Sequence, residues 1–157
     1  MKKTILAPTD LSELSQVGVR SALEMAKSRG AGVIVYHVVG YAEANVHDEG
    51  FYSESLAELL LKDRKRLLDK FLKENFADMI PQVTIRQEIE MGVPYKKIVE
   101  KAVEEGAELI VMSTHGRTGL LHMLIGSVTE KVVQRSACPV LSIRPLKESK
   151  RAEAAAS

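Results

Sequence analysis

Short apolar runs alternate with longer segments of helical periodicity along almost the whole chain, and this alternation constrains the fold more than any other feature of the sequence. The run VIVYHVV, residues 33–39, is rich in β-branched residues and lacks polar alternation, which is typical of a strand buried on both faces. Other short runs are TILAP, LIVM and PVLSI, and VTIRQEI alternates apolar with polar residues. Strands that alternate with helices predict a parallel sheet covered by helices on both faces.

The segments between the runs predict helices over residues 14–29, 56–72, 95–105 and 127–135, and residues 40–52 have no period and predict a loop. Strand orders 2-1-3-4-5 and 3-2-1-4-5 are both compatible with this succession. The third run along the chain, VTIRQEI, has the alternating pattern of a half-exposed strand at a sheet edge, and this favours the order 3-2-1-4-5. The predicted fold class is therefore α/β, a single doubly wound five-stranded parallel sheet over residues 1–146, with a polar tail over 147–157.

Composition narrows the class of protein. The chain has 157 residues and a formal net charge of +1, so no overall field draws it onto nucleic acid or a membrane. Aromatic residues make up only 4% of the chain, which disfavours base stacking on single strands. No apolar run approaches the roughly 18 residues of a membrane span. The lone Cys138 suits a reducing compartment. We expect a cytoplasmic protein that binds neither nucleic acid nor membranes.

The predicted topology indicates where a ligand would bind. In a doubly wound sheet, ligands bind outside the carboxyl ends of the strands, where the strand order reverses. For the order 3-2-1-4-5 this point lies between the first and fourth strands. The first strand ends at Pro8, Thr9 and Asp10, and the fourth ends at Met112 and Ser113. The acidic turn after the first strand should therefore meet the segment STHGRTGLLHMLIGSVTEKVV that follows the fourth.

That segment has the chemistry of a phosphate pocket. Gly116 and Gly119 lack side chains, so the backbone can approach a ligand closely. Gly126 and Ser127 open a helix, and Ser127 with Glu130 has the spacing of a capping box. Free N–H groups and the positive end of the helix dipole make such a helix start attractive to anions.

Two charged residues flank this pocket, and a plainer interpretation stays open. Arg117 is the nearest cation, and Asp10 could accept from ribose hydroxyls or hold a hydrated Mg²⁺. Glycines between a strand and a helix are also common in simple turns, with Asp10 as a helix cap. His115 and His122 are interpreted as local structural residues, and His37 as a core histidine. The P-loop motif G-x-x-x-x-G-K-[ST] and a G-x-G-x-x-G after the first strand are absent.

The residues that carry these signals resemble the universal stress protein family, in its nucleotide-binding branch. The resemblance runs from about residue 3 to residue 144 and rests on ILAPTDLSELS, YHVV, EMGVPYKKIV and IVMSTHGRTGLLHMLIGSVTEKVVQRSACPVLSI. The family's ATP signature is G-x2-G-x9-G-[ST]. Gly116 and Gly126 match its second and third glycines, and Ser127 matches its last position. Ser113 stands at the first position, where the family has glycine.

The resemblance implies a flavodoxin-like sandwich of the adenine-nucleotide α-hydrolase-like type that binds ATP, together with Mg²⁺ or Mn²⁺. It implies that Asp10 contacts the ribose or, through water, the metal ion, and that Val38 meets adenine through its backbone. It also implies a homodimer through the last strand, from Pro139 to Ile143, and a protein partner of unknown identity. The implied nucleotide-binding residues are Pro8, Thr9, Asp10, Val38, Met112, Ser113, Thr114, His115, Gly116, Arg117, Thr118, Gly119, Gly126, Ser127, Val128 and Thr129.

Three functions are compatible with these observations. The favoured one is an ATP-binding regulatory module of the stress response, with slow hydrolysis at most. A weak ATPase or phosphotransferase is disfavoured because the segment offers one arginine and no P-loop lysine. A nucleotide-free dimer that acts as a scaffold is the third, and the departure at Ser113 is the feature that favours it.

Overall fold

A computed structural model describes residues 3–44, 54–116 and 124–145. They form a five-stranded, all-parallel sheet in the order β3-β2-β1-β4-β5, which confirms the predicted fold class and strand order. β2 and β3 lie on one side of β1, and β4 and β5 lie on the other side. The order in which the chain adds strands therefore reverses between β1 and β4. The strands are β1 (Thr4–Pro8), β2 (Gly32–Val39), β3 (Thr84–Met91), β4 (Leu109–Ser113) and β5 (Val140–Ile143).

Four α-helices lie between these strands within the described ranges. They are α1 (Gln16–Arg29), α2 (Glu54–Asn75), α3 (Pro94–Glu104) and α4 (Ser127–Arg135). Two 3₁₀ turns, Glu13–Ser15 and Ile80–Gln82, precede α1 and β3. The helix α1 ends at Gly30 in the left-handed conformation (φ 63°), the backbone region where glycine is least strained.

The two faces of the sheet follow directly from the alternation of side chains along the central strands. Ile5, Ala7, Val33, Val35 and Val111 point to one face and pack with apolar residues of α1 and α2. The intervening residues point to the opposite face, where they pack against α3 and α4. These are Leu6, Ile34, Tyr36, Val38, Ile110 and Met112. Continuous apolar runs such as residues 33–39 are needed because both faces are covered.

The edge strand β3 replaces apolar packing on one face with ion pairs to α3. Lys101, only 5% exposed, lies 3.0 Å from Glu88 and 2.6 Å from Glu90. Burial alone would lower the pKa of Lys101, but hydrogen bonds to Glu90, Glu88 and Glu104 outweigh it and raise the pKa above its ordinary value. The polar positions of β3 are therefore explained by this cluster and by the position of the strand at the edge.

Several predicted helix starts are wrong in detail. Ser12, whose hydroxyl accepts from the Ser15 amide, is the N-cap of the 3₁₀ turn that leads into α1, because the Asp10 carboxylate is already engaged in its own turn. The N-cap of α1 itself is Ser15, without a side-chain bond. The N-cap of α4 is Gly126 and not Ser127, so the predicted capping box does not form there. The helix α2 already begins at Glu54. Of the predicted loop, residues 41–44 form a turn and residues 45–52 lie outside the described ranges. No helix within the described ranges is long and apolar enough to cross a membrane.

Candidate functional site

A cavity of about 520 Å³ opens at the carboxyl ends of β1, β2 and β4, where the sheet order reverses. Its position agrees with the general rule for ligand sites in open α/β sheets. One wall is apolar and belongs to the face covered by α3 and α4. Burial raises the pKa of Tyr36 in this wall, so its phenol is neutral at physiological pH. The apolar wall residues are Tyr36, Val38, Pro94, Ile98, Met112 and Val128.

The turn after β1 presents Asp10 to the cavity. The Asp10 carboxylate accepts from the Ser12 amide, with Oδ1 3.0 Å from the nitrogen, and from the Ser12 hydroxyl at 2.5 Å. Leu11 between them has a φ of 65°, a left-handed conformation that side chains other than glycine, asparagine and aspartate rarely adopt. The Thr9 hydroxyl stabilises it by accepting from the Leu11 amide at 3.0 Å. The direction of the Asp10 side chain is thus fixed by a strained turn and its hydrogen bonds.

Gly116 lies directly against that carboxylate. A Cβ placed on Gly116 would overlap Oδ2 of Asp10 and lie 3.0 Å from its Cγ. Real Cβ contacts are essentially never so close, so only glycine permits this approach. The acidic turn and the glycine-rich segment therefore meet, as predicted from their places at the switch point, where the strand order reverses.

The N-terminus of α4 closes another side of the cavity. The Gly126 amide donates to the carbonyl of Thr114 at 2.6 Å, and the Thr129 hydroxyl donates to the carbonyl of Ser113 at 2.9 Å. Gly126 has no side chain with which to cap the helix. The amides of Ser127, Val128 and Thr129 belong to the first turn, which finds no acceptors inside the helix. These amides and the helix dipole favour an anion at this end of the cavity.

Two buried polar residues lie between β4 and α4 in sequence. Thr114 is 8% exposed and His115 is 4% exposed, and both line the cavity. The Thr114 hydroxyl lies 2.7 Å from Nδ1 of His115. This contact fixes the imidazole against the cavity wall.

The charges along the described part of the cavity are carboxylates. Asp10 lies on one side, and Glu43 lies on the turn after β2. Arg64 of α2 neutralises Glu43, with Nε 2.9 Å from Oε1. No lysine or arginine is among the lining residues within the described ranges, and Arg117 lies outside them. No group of three or more metal-ligating side chains occurs in that part of the chain either.

The structure brings the predicted site residues together wherever it describes them. Arg117, Thr118 and Gly119 lie outside the described ranges. Their role, and the binding role of the others, stays a prediction. The predicted residues that line the cavity are Pro8, Thr9, Asp10, Val38, Met112, Ser113, Thr114, His115, Gly116, Gly126, Ser127, Val128 and Thr129.

Sequence reasoning missed a second group of lining residues. Part of this group follows β2 and β3 in sequence. The parallel topology could have predicted that these residues line the cavity, because the carboxyl ends of all strands lie at one edge of the sheet. Tyr36 and Ile98 line the wall only because α3 packs on the sheet, which no local pattern reveals. The missed residues are Ser15, Tyr36, Gly40, Tyr41, Ala42, Glu43, Gly92, Val93, Pro94 and Ile98.

Comparison with known proteins places this architecture among relatives. The model of the universal stress protein family matches residues 1–144. Universal stress protein MJ0531 from Methanocaldococcus jannaschii is 38% identical over 150 residues, covering 93% of this chain and 85% of its own.

Two solved structures have the same fold. That of protein MJ0577 from Methanocaldococcus jannaschii superposes with a TM-score of 0.69 at 32% identity, covering 94% of this chain and 99% of its own. The universal stress protein from Archaeoglobus fulgidus, solved in complex with dAMP, has a TM-score of 0.56 at 20% identity, covering 91% and 98%. At that identity the second likeness supports the fold alone.

Proposed function

Because the chain belongs to the universal stress protein family, we propose that it binds ATP in the cavity at the switch point and acts in the cytoplasm as a nucleotide-dependent regulatory module of the stress response. The observation that carries the proposal is the combination, in one cavity, of an apolar wall, the Asp10 carboxylate and the N-terminus of α4. A nucleotide has the matching parts: a flat apolar base, a sugar with hydroxyl donors, and an anionic tail.

The arrangement of the cavity suggests the orientation of the ligand. The base lies against the apolar wall that includes Val38 and Met112, and the phosphates point to the first turn of α4. The helix dipole supplies only about 0.3–1 kcal/mol. Micromolar affinity requires about 8 kcal/mol, so the base and sugar contacts must contribute most of it.

A divalent cation fits this cavity only as a companion of the nucleotide. Mg²⁺ prefers several waters, substrate phosphate oxygens and one or two carboxylates. Asp10 is a single carboxylate beside the proposed phosphate end, and Glu43 is already paired with Arg64. Asp10 would hold the hydrated ion, and the ion would offset the repulsion between Asp10 and the phosphates. The same reasoning applies to Mn²⁺.

Hydrolysis of bound ATP is proposed to be slow at most. Phosphoryl transfer needs an oriented water and neutralisation of the developing charge. His115 is the candidate base within the cavity, and Nδ1 of its ring lies 2.7 Å from the Thr114 hydroxyl. An unchanged rate of phosphate release in His115→Ala would show that the ring has no part in hydrolysis.

We also propose that the protein forms a homodimer through β5, and that an unidentified protein partner responds to its nucleotide state. The strand β5 is at the edge of the sheet, and Leu141 on it is 38% exposed. Val133, on the neighbouring α4, is 49% exposed. Pairing with a second copy would cover an edge that otherwise has unpaired backbone groups.

Calorimetry with ATP and Mg²⁺ tests the binding proposal, after the purified protein has been checked for carried-over nucleotide. In Gly126→Val, the new Cβ lies 2.8 Å from the carbonyl oxygen of Thr114 and must displace the start of α4. In Gly32→Ala, the matched control, the new Cβ lies at an ordinary 3.6 Å from the Thr84 carbonyl oxygen, far from the cavity. Micromolar binding that is lost only in Gly126→Val supports the proposal. Absence of both binding and carried-over nucleotide in the wild type would overturn it in favour of a nucleotide-free dimer.

A further inference from the structure

Three buried polar side chains lie beneath the turn that presents Asp10. Thr9 extends from β1, His37 belongs to β2 and Ser113 ends β4, and they are 7%, 1% and 5% exposed. Alternation places all three on the α1 side of the sheet, because Ala7, Val35 and Val111, two residues before them, lie on that face. They occupy the carboxyl edge of the three central strands, where apolar packing gives way to polar contacts.

Two of the three hold the first part of the turn. The Thr9 hydroxyl lies 2.7 Å from the Ser15 hydroxyl and accepts from the Leu11 amide. His37 donates from Nδ1 to the Thr9 carbonyl at 2.9 Å, since a carbonyl can only accept. The left-handed backbone of Leu11 is a conformation that persists only when its surroundings enforce it.

Ser113 connects the turn to the other half of the cavity. Its hydroxyl donates to the carbonyl of Leu14, 2.8 Å away and 99 residues distant in sequence. Its own carbonyl accepts from the Thr129 hydroxyl in the first turn of α4. Ser113 therefore links the segment that follows the acidic turn to the proposed phosphate end.

The packing of α1 allows the contact. Gly18 lies so close to β4 that a Cβ on it would be 2.5 Å from the Ser113 nitrogen. This approach brings the Leu14 carbonyl, one helical turn earlier, within reach of the Ser113 hydroxyl. The Ser113 side chain thus points toward α1 and away from the apolar wall, so the hydroxyl serves the protein and not the ligand.

We propose that Ser113 is a positioning residue, which fixes Asp10 relative to the N-terminus of α4 and so sets the affinity for a nucleotide with its metal ion. This inference rests on the proposed nucleotide function for its ligand, but its structural part does not. At the position where the family signature has glycine, this chain has a serine, and the serine hydroxyl stabilises the turn that presents Asp10. The serine is therefore a functional addition to the signature.

The test has a part that needs no ligand. In Ser113→Ala, amide hydrogen exchange at Leu11, Ser12 and Ser15 is expected to accelerate about three- to tenfold, the factor for losing one ordinary hydrogen bond. Exchange within α1, at Leu23 for example, should not change. Ser28→Ala is the matched control, because it removes a hydroxyl-to-carbonyl bond of 2.9 Å at an exposed place within α1. Unchanged exchange at all three turn amides would overturn the inference.

The second part measures whether Ser113 acts through Asp10. Ser113→Ala is expected to lower the affinity for ATP with Mg²⁺ about three- to tenfold. In Asp10→Asn the same change at Ser113 should have almost no further effect, because the group that it positions has lost its charge. Fully additive losses would show that Ser113 acts independently of Asp10 and would overturn the proposal. Ser113→Gly, the family's own residue, serves as the second variant if the alanine variant does not fold.

The two measurements distinguish failure of the proposed function from failure of the positioning role of Ser113. If the wild type binds no nucleotide, the function is wrong, and the exchange measurement alone decides the positioning role. Acceleration confined to the three turn amides would still support it.

Discussion

The backbone of Gly116 and the carboxylate of Asp10 are in direct contact inside the cavity, although they follow different strands and are far apart in sequence. No side chain could be added to Gly116 without displacing Asp10. Glycine is therefore required at position 116 by the contact with Asp10 in the cavity, and not only by the geometry of the turn.

Gly116→Ala is therefore expected to weaken nucleotide binding more than it weakens the fold. The new methyl group pushes the Asp10 side chain out of its position, and the loss of one charge-assisted contact corresponds to about 1.5–3 kcal/mol of binding free energy. Calorimetry with ATP and Mg²⁺ measures the affinity, and thermal unfolding measures the stability. Gly32→Ala is the control, since its Cβ meets nothing closer than 3.6 Å. Equal affinity in the Gly116 variant would mean that Asp10 does not contact the ligand.

Asp10→Asn is expected to remove the metal dependence of binding while leaving the turn intact. The amide keeps an oxygen that can accept from the Ser12 amide, so the local hydrogen bond survives. The negative charge that would hold a hydrated cation is lost. Titrations of ATP with Mg²⁺ and with EDTA should give a clear difference in affinity for the wild type and little difference for the variant. A variant with the full wild-type response to Mg²⁺ would exclude Asp10 as the residue that holds the ion.

The contacts around Asp10 also show how far the sequence could predict the site. Strand order followed from one observation, the half-exposed pattern of β3, and it placed the turn at Asp10 opposite the segment that begins at Ser113. Parallel sheets make such inferences strong, since strand order and direction together decide which loops meet.

Other features depend on tertiary packing and could not be predicted in this way. The target of the Ser113 hydroxyl is 99 residues away, and it is within reach only because Gly18 lets α1 approach β4. Likewise the local sequence pattern predicted a capping box that begins at Ser127, but a tertiary contact sets the start of α4 one residue earlier. Gly126 takes the N-cap because its amide bonds to Thr114 and a Cβ there would lie 2.8 Å from that carbonyl oxygen.

Lys101→Met is expected to destabilise the fold by about 1–3 kcal/mol at neutral pH and to change its response to acid. Partial burial alone would raise the pKa of Glu90, but hydrogen bonds to Lys101 and Lys97 outweigh it and hold the pKa below its ordinary value of 4.5. A lowered pKa in the folded state contributes stability above the unfolded-state pKa, and this contribution is lost as the pH falls through the folded-state pKa.

The measurement is the free energy of unfolding in urea between pH 7 and pH 3. The wild type should lose stability as the pH falls below about 4.5, the ordinary pKa of Glu90. The Lys101→Met variant should lose less over the same range, because protonating Glu90 then breaks only its ion pair with Lys97 and no longer one with Lys101 as well. Equal acid sensitivity of the two proteins would show that this cluster does not govern it.

Leu141→Lys is expected to convert the proposed homodimer to a monomer with little loss of stability. Leu141 lies on the edge strand β5 and is 38% exposed, so a lysine is accommodated in the single chain but carries charge into a strand-to-strand interface. Sedimentation of the wild type and the variant at matched concentrations gives the mass of each. Val103→Lys is the control, because Val103 is 63% exposed on α3 and belongs to a different part of the surface. A dimer that persists in the Leu141 variant but dissociates in the Val103 variant would place the interface on α3 instead.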